Sequence, residues 1–274
     1  MVLVIRRAVL IPSDARLGLN TAGPRHVHTR VGVVLISLFF GGCVEIRVPD
    51  PNVRYIAFGD SSTSGSSTRD YPEILASLLG EAPETFANEG RSGETSVEGL
   101  ARLKSLLADG IFPNAKVMLY WESGNDITGF IKDRDSFLLI SPDDPAYPLS
   151  DELAQLLGKT QANIESAIAA AQNAGLRVYV GTYFLLREDI AECSALPLDF
   201  ILPSQARNAN AYIIRLNDRI RAAAENQGAI LVDVAADDVL RQDPANYVDC
   251  DHLSEKGNAI VANLFFQTIV GARE

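Results

Sequence analysis

From Val53 onward the chain alternates between short apolar runs and stretches of helical period, and this alternation narrows its fold more than any other feature. The runs VRYIAF, KVMLYW, RVYVGTY and AILVDV carry the β-branched and aromatic residues of strands, and TFANEG reads as a weak short one. Between them lie YPEILASLLG, SVEGLARLKSLLADG, LAQLLGKTQANIESAIAAAQNAG and SQARNANAYIIRLNDRIRAAAENQG. Each closes on a glycine (Gly80, Gly110, Gly175, Gly228), which takes the left-handed backbone of a helix end without strain. SEKGNAIVANLFFQTIVG closes the chain as a helix, with Ser254 as its expected cap. Strands separated by helices pair in parallel, and a parallel sheet must be covered on both faces. The pattern therefore predicts an α/β three-layer sandwich with a central parallel five-stranded sheet. About 220 residues suit one such domain. Two connections, Ile127–Ser150 and Leu185–Pro203, are longer than usual, and such loops tend to be functional. The first, with its mix of apolar and charged residues, is expected either to border a substrate pocket or to run as a surface excursion.

In open parallel sheets, ligands sit at the carboxyl ends of the strands. Those ends here deliver GDSS after the first strand, NEGRSGETS after the second, ESGND after the third and DCDHLS after the fifth. One edge thus collects a serine cluster, a glycine turn, an asparagine and an Asp–His pair. The chain has 3 His, and His26 and His28 lie in the N-terminal segment treated below, which leaves His252 alone in the domain. No multi-histidine metal site is expected. Asp249, three residues before His252, can turn its carboxylate toward Nδ1–H and leave Nε2 free as a base. Asp251 is the rival partner, but adjacent side chains diverge, which favours Asp249.

The stretch FGDSSTSG could serve as a phosphate cradle, a helix cap or the seat of a nucleophile. A Walker-type cradle needs a lysine, and none lies between Phe58 and Gly80. A dinucleotide fingerprint needs G-x-G-x-x-G, which Gly59 and Gly65 do not make. A cap explains one serine of the four. Ser61, directly after Gly59-Asp60 at the tip of a strand, fits a nucleophile.

Gly59-Asp60-Ser61, RSGETS with Gly93, GND with Asn125, and Asp249 to His252 together resemble the SGNH, or GDSL-type, serine hydrolases, over about Val53 to Gly271. The resemblance implies the flavodoxin-like SGNH hydrolase fold and carboxylester hydrolysis without cofactor or metal. It implies Ser61 as nucleophile, His252 as base and Asp249 as its orienter. It also implies an oxyanion hole made of the Ser61 and Gly93 N–H groups and the Asn125 amide. Gly93, lacking a side chain, is expected to let its N–H come close to the oxyanion. The chain departs from many members at Ser62, where leucine is frequent, at Leu253, where proline often follows the histidine, and at Glu122-Ser123, where small apolar residues are usual. The substrate is expected to be a small-molecule, glycan or lipid ester. The other reading is a non-catalytic module of this kind that binds glycan or lipid at the same edge.

Residues 1–43 read as a targeting segment. Arg25, His26, His28 and Arg30 precede the apolar run VGVVLISLFF, which is too short to span a bilayer as a helix of ~20 residues. A basic start, an apolar middle and a small-residue end make a signal peptide. The ending GGC resembles a bacterial lipobox, so Cys43 is the expected site of lipidation and membrane attachment, although Phe40 departs from the usual aliphatic residue. The expected location is accordingly outside the cytoplasm, as a cell-envelope lipoprotein or a secreted protein. Residues 44–52 read as a linker and 53–274 as the hydrolase domain. The net charge of -11 repels phosphate backbones, so nucleic acid is not an expected partner. Apart from Cys43 the cysteines are Cys193 and Cys250, an even pair on loops leaving the same sheet edge. In an exported domain they are expected to form a disulfide.

Overall fold

The computed structural model describes residues 47–188 and 203–272, all within the compact unit Ile46–Glu274. Cys43, Cys193 and the targeting segment lie outside the described residues. Strands β1 (Tyr55–Gly59), β2 (Phe86–Gly90), β3 (Val117–Trp121), β4 (Arg177–Gly181) and β5 (Ile230–Val232) form one sheet in the order β2-β1-β3-β4-β5. Every neighbouring pair is parallel. The order reverses beside β1, whose neighbours are β2 and β3, and a crevice opens at the carboxyl ends of strands at such a switch point.

The helices are α1 (Ser61–Ser64), α2 (Tyr71–Leu79), α3 (Ser96–Ala108), α4 (Gly124–Arg134), α5 (Ser150–Asn173), α6 (Pro203–Gln227), α7 (Val239–Gln242) and α8 (Glu255–Gly271). Helix α2 packs on α8, while α5 packs between α3 and α6. Their ends are set by local chemistry. Asp70 accepts the Glu73 N–H at the start of α2, and Gly80 closes that helix at φ +68°. Ser254 Oγ accepts the Gly257 N–H at the start of α8, as expected from its sequence. Under the sheet edge, Trp121, Tyr71 and Phe265 are fully buried. The Tyr71 ring stacks on Phe265 at 5.1 Å and meets Trp121 edge-on at 5.4 Å. These contacts fix the floor on which the loops after β1 and β3 rest.

The structure corrects the expected loop Ile127–Ser150. Its first part is the helix α4, which buries Ile127 and Ile131. What remains, residues 135–149, lies along α6. Gln205 Nε2 and Asn208 Nδ2 donate to the carbonyls of Phe137 and Leu138, at 2.9 and 2.7 Å, and Arg215 pairs with Asp143 at 2.9 Å.

Candidate active site

Ser61 is the first residue of α1 and follows β1 through Gly59 and Asp60. The turn is tight because β1 and β3 run side by side there. A Cβ on Gly59 would stand 1.9 Å from the Trp121 carbonyl oxygen, so only glycine fits. The Asp60 carboxylate is buried and holds three donors: the Ser62 N–H at 2.9 Å, the Gly124 N–H at 3.1 Å and the Tyr183 hydroxyl at 2.5 Å. One side chain therefore ties the Ser61 turn to the start of α4. Burial pushes the Asp60 carboxyl up to about 6, while the Tyr183, Ser62 and Gly124 hydrogen bonds work the other way.

Asn125 lies at the start of α4, preceded by Ser123 in the left-handed region at φ +111°. One of its amide hydrogens goes to the Glu94 carbonyl at 3.0 Å. The other makes no hydrogen bond among the described residues. Asp126 anchors this helix start, accepting the Ser96 N–H and Oγ at 2.7 Å each and the Thr160 hydroxyl at 3.0 Å.

Gly93 occupies the turn Arg91–Glu94, which closes through Glu94 N–H to the Arg91 carbonyl at 3.2 Å. Gly93 has φ +81°, a backbone angle that favours glycine, and a Cβ there would meet no protein atom within 4 Å. The turn is held beside α1 by Arg91 N–H to the Gly59 carbonyl at 2.8 Å and by Ser92 Oγ to Ser64 Oγ at 3.0 Å. From below, Arg102 grips the Glu94 carboxylate at 2.7 Å, donates to the Glu89 carbonyl at 2.9 Å and covers the Phe58 ring at 3.9 Å. Among the described residues, neither the Ser61 nor the Gly93 N–H makes a hydrogen bond.

His252 follows a bend in which Asp249 Oδ1 accepts the N–H groups of Asp251 and His252 at 3.1 and 2.7 Å. Nδ1 faces both Asp249 oxygens, at 2.9 and 3.1 Å. The favoured partner from sequence is thus in contact, but the reasoning that set Asp251 aside is corrected. The bend curls the chain so that Asp251 Oδ1 also lies 3.2 Å from Nδ1. That oxygen is buried, and both its nearness to the ring N–H and its charge favour the protonated imidazole. Asp251 first, and Asp249 after it, push His252 up to about 9 against an opposing effect of burial. Burial also opposes the charge on Asp249, but the His252 ring and two backbone N–H groups hold its carboxyl below the usual range. The three groups place potential ligand atoms within 4.8 Å of one another, a donor set a hard cation could also use.

Ser61 and His252 line one small cavity, without a hydrogen bond between their side chains. A second, larger cavity opens at Ser61 and Asn125. Sequence reasoning missed Tyr183, Glu94, Arg102 and Asp126 as positioning residues. Only Glu94 and Asp126 carried a signal, standing inside SGET and GND. Cys250, inside the His252 bend, is disulfide-bonded. The Cys193 expected to pair with it lies outside the described residues.

Residues 57–260 match the model of the GDSL-like lipase/acylhydrolase family. No curated protein matches. Among solved structures, a GDSL-like lipase from Bacteroides thetaiotaomicron is 19% identical with a TM-score of 0.53, over 83% of this chain and 92% of its own. A member of the lipolytic G-D-S-L family from Veillonella parvula is 15% identical with a TM-score of 0.55, over 80% and 98%. An acetylxylan esterase from Geobacillus stearothermophilus is 17% identical with a TM-score of 0.55, over 82% and 96%. At such identities these three share the fold alone. The family match extends from β1 into α8 and takes in all four motif-bearing loops, and the chain belongs to the GDSL-like lipase/acylhydrolase family.

Proposed function

We propose that this chain is a serine carboxylester hydrolase in which Ser61, His252 and Asp249 form the triad. The observation that carries the reading is the meeting of Ser61 and His252 in one cavity, with Nδ1 of the imidazole held by Asp249. His252 Nε2 takes the Ser61 hydroxyl proton as Oγ attacks the ester carbonyl carbon. The tetrahedral oxygen takes up negative charge and is met by the Ser61 N–H, the Gly93 N–H and the second Asn125 amide hydrogen. Collapse expels the alcohol, which leaves with the proton from Nε2. Water, deprotonated by the same nitrogen, then releases the acyl group as its acid. The catalyst works only with neutral imidazole, so a His252 held near 9 makes activity climb across the neutral and mildly alkaline range.

The proposed substrates are small-molecule, glycan or lipid esters met outside the cytoplasm, with the chain exported and attached to a membrane through lipid on Cys43. No described helix is long and apolar enough to cross a membrane. The test is turnover of p-nitrophenyl esters by purified wild type and Ser61→Ala. Hydrolysis by wild type, lost in a folded Ser61→Ala protein, is expected. Equal rates in the two would refute the role of Ser61. No hydrolysis in either, with retained binding of glycan or lipid, would favour the non-catalytic reading.

A further inference from the structure

The two cavities that meet at Ser61 differ in chemistry. The smaller contains His252 with Gly65, Ser66 and Asn258 around it. The larger runs between α4 and α6, walled by Ile127 and Ile131 on one side and Ile213 and Leu216 on the other, with Phe184 and Leu186 after β4. Asn125 borders this larger cavity and His252 does not. The chemistry of ester cleavage decides which part of the substrate goes where. The leaving oxygen must receive its proton from His252, so the alcohol lies on the His252 side. The carbonyl oxygen takes the Asn125 amide and the alcohol the His252 side, which leaves the larger cavity that opens at Ser61 for the acyl chain.

We propose that the α4–α6 cavity is the acyl site and that the substrates are esters of a medium-length apolar acid with a small polar alcohol. The inference rests on the serine hydrolase reading and adds the substrate class to it. The single methyl of an acetyl group would leave most of the apolar wall formed by Ile127, Ile131, Phe184, Leu186, Ile213 and Leu216 uncovered, whereas a longer apolar chain would lie along it. The spacing of the wall residues has a direct cause. Ile127 and Ile131 are one turn apart on α4, and Ala209, Ile213 and Leu216 follow at helical spacing on α6, so each helix presents an apolar stripe to the gap. The long connection expected to border the pocket does so only through its α4 part; residues 135–149 lie against α6, outside the lining.

The test measures kcat/KM for p-nitrophenyl esters of rising acyl length with wild type, Ile213→Trp and Ile213→Ala. Ile213 is half-buried, which makes a change there easier to absorb than one in the deep core. For wild type, kcat/KM should climb about two- to fourfold per methylene from acetyl to about hexanoyl, as chain carbons leave water. The ratio of hexanoyl to acetyl should fall about tenfold or more in Ile213→Trp, and the preferred length should increase in Ile213→Ala. Should Ile213→Trp not fold, the wild-type profile and Ile213→Ala decide. Acetyl preferred, with rates falling as the chain grows, would overturn the acyl site and leave the hydrolase reading standing. Unchanged chain-length ratios in both folded variants would overturn it too. No turnover at any length and no labelling of Ser61 by a fluorophosphonate would remove the hydrolase reading and this inference with it.

Discussion

Replacing Asp251 by asparagine should move the acid limb of the pH profile without destroying catalysis. His252 rises from an ordinary 6.5 to about 9, with Asp251 as the largest cause and Asp249 second. Asparagine keeps the shape of the side chain and removes its charge, 3.2 Å from Nδ1. Losing the largest single cause moves the limb to lower pH. At pH 7 a base titrating near 9 is about 1% neutral, and each pH unit by which the limb moves down multiplies that fraction about tenfold. Subsaturating kcat/KM at pH 7 should therefore rise in Asp251→Asn, about tenfold for each pH unit the limb moves. The imidazolium of the transition state loses a nearby negative charge at the same time, so the alkaline plateau should drop several-fold. The two profiles should cross. The assay is kcat/KM for a p-nitrophenyl ester from about pH 6 to 10, corrected for spontaneous hydrolysis. An acid limb that stays in place would refute the electrostatic reading of Asp251. A loss at all pH values as deep as that of Asp249→Asn, of order 10⁴ for a mis-set tautomer, would make Asp251 the orienter instead.

Three further outcomes are expected. Asn125→Ala should lower kcat by about 10²–10³ with little change in KM, since the amide acts on the oxyanion; an effect on KM alone would contradict that role. Glu122 is buried without a hydrogen-bond partner, and burial, then the charges of Asp60 and Glu94, push it up to about 11. The folded state thus keeps a proton that the unfolded state releases above an ordinary 4.5, and stability is lost as pH rises. Glu122→Gln should flatten this slope and raise Tm at pH 8 by roughly 4–8 °C, the equivalent of ~2 kcal/mol in a domain of this size; an unchanged slope in thermal melts would show Glu122 ionised. Cys43→Ser should abolish partitioning of the full chain into detergent, and partitioning that survives the change would sink the lipid anchor.

The inner strands β1, β3 and β4 were legible because they are buried and read as continuous apolar runs, whereas the edge strand β2, with Asn88 and Glu89 and no fully buried residue, gave a weaker signal. Helix α4 was not legible. Its sequence GNDITGFIKDR contains two glycines, an asparagine and a threonine, all weak helix formers. What holds it is tertiary: Asp126 bonded to Ser96 and Thr160, and Ile127 and Ile131 in the core. The candidate triad showed in the sequence through residue type and strand-end placement. The second carboxylate on His252 did not, because its approach depends on a bend built from two backbone donors sharing Asp249 Oδ1. Tyr183 carried no local signal, since its partner Asp60 is 123 residues away.

A serine nucleophile activated by His252 forms a covalent adduct with an electrophilic phosphonate. Incubation of the folded protein with a fluorophosphonate, followed by peptide mass spectrometry, should place one phosphonyl group on Ser61, more slowly in His252→Gln and not at all in Ser61→Ala. An unmodified Ser61, or an adduct on another serine that persists in Ser61→Ala, would contradict Ser61 as that nucleophile.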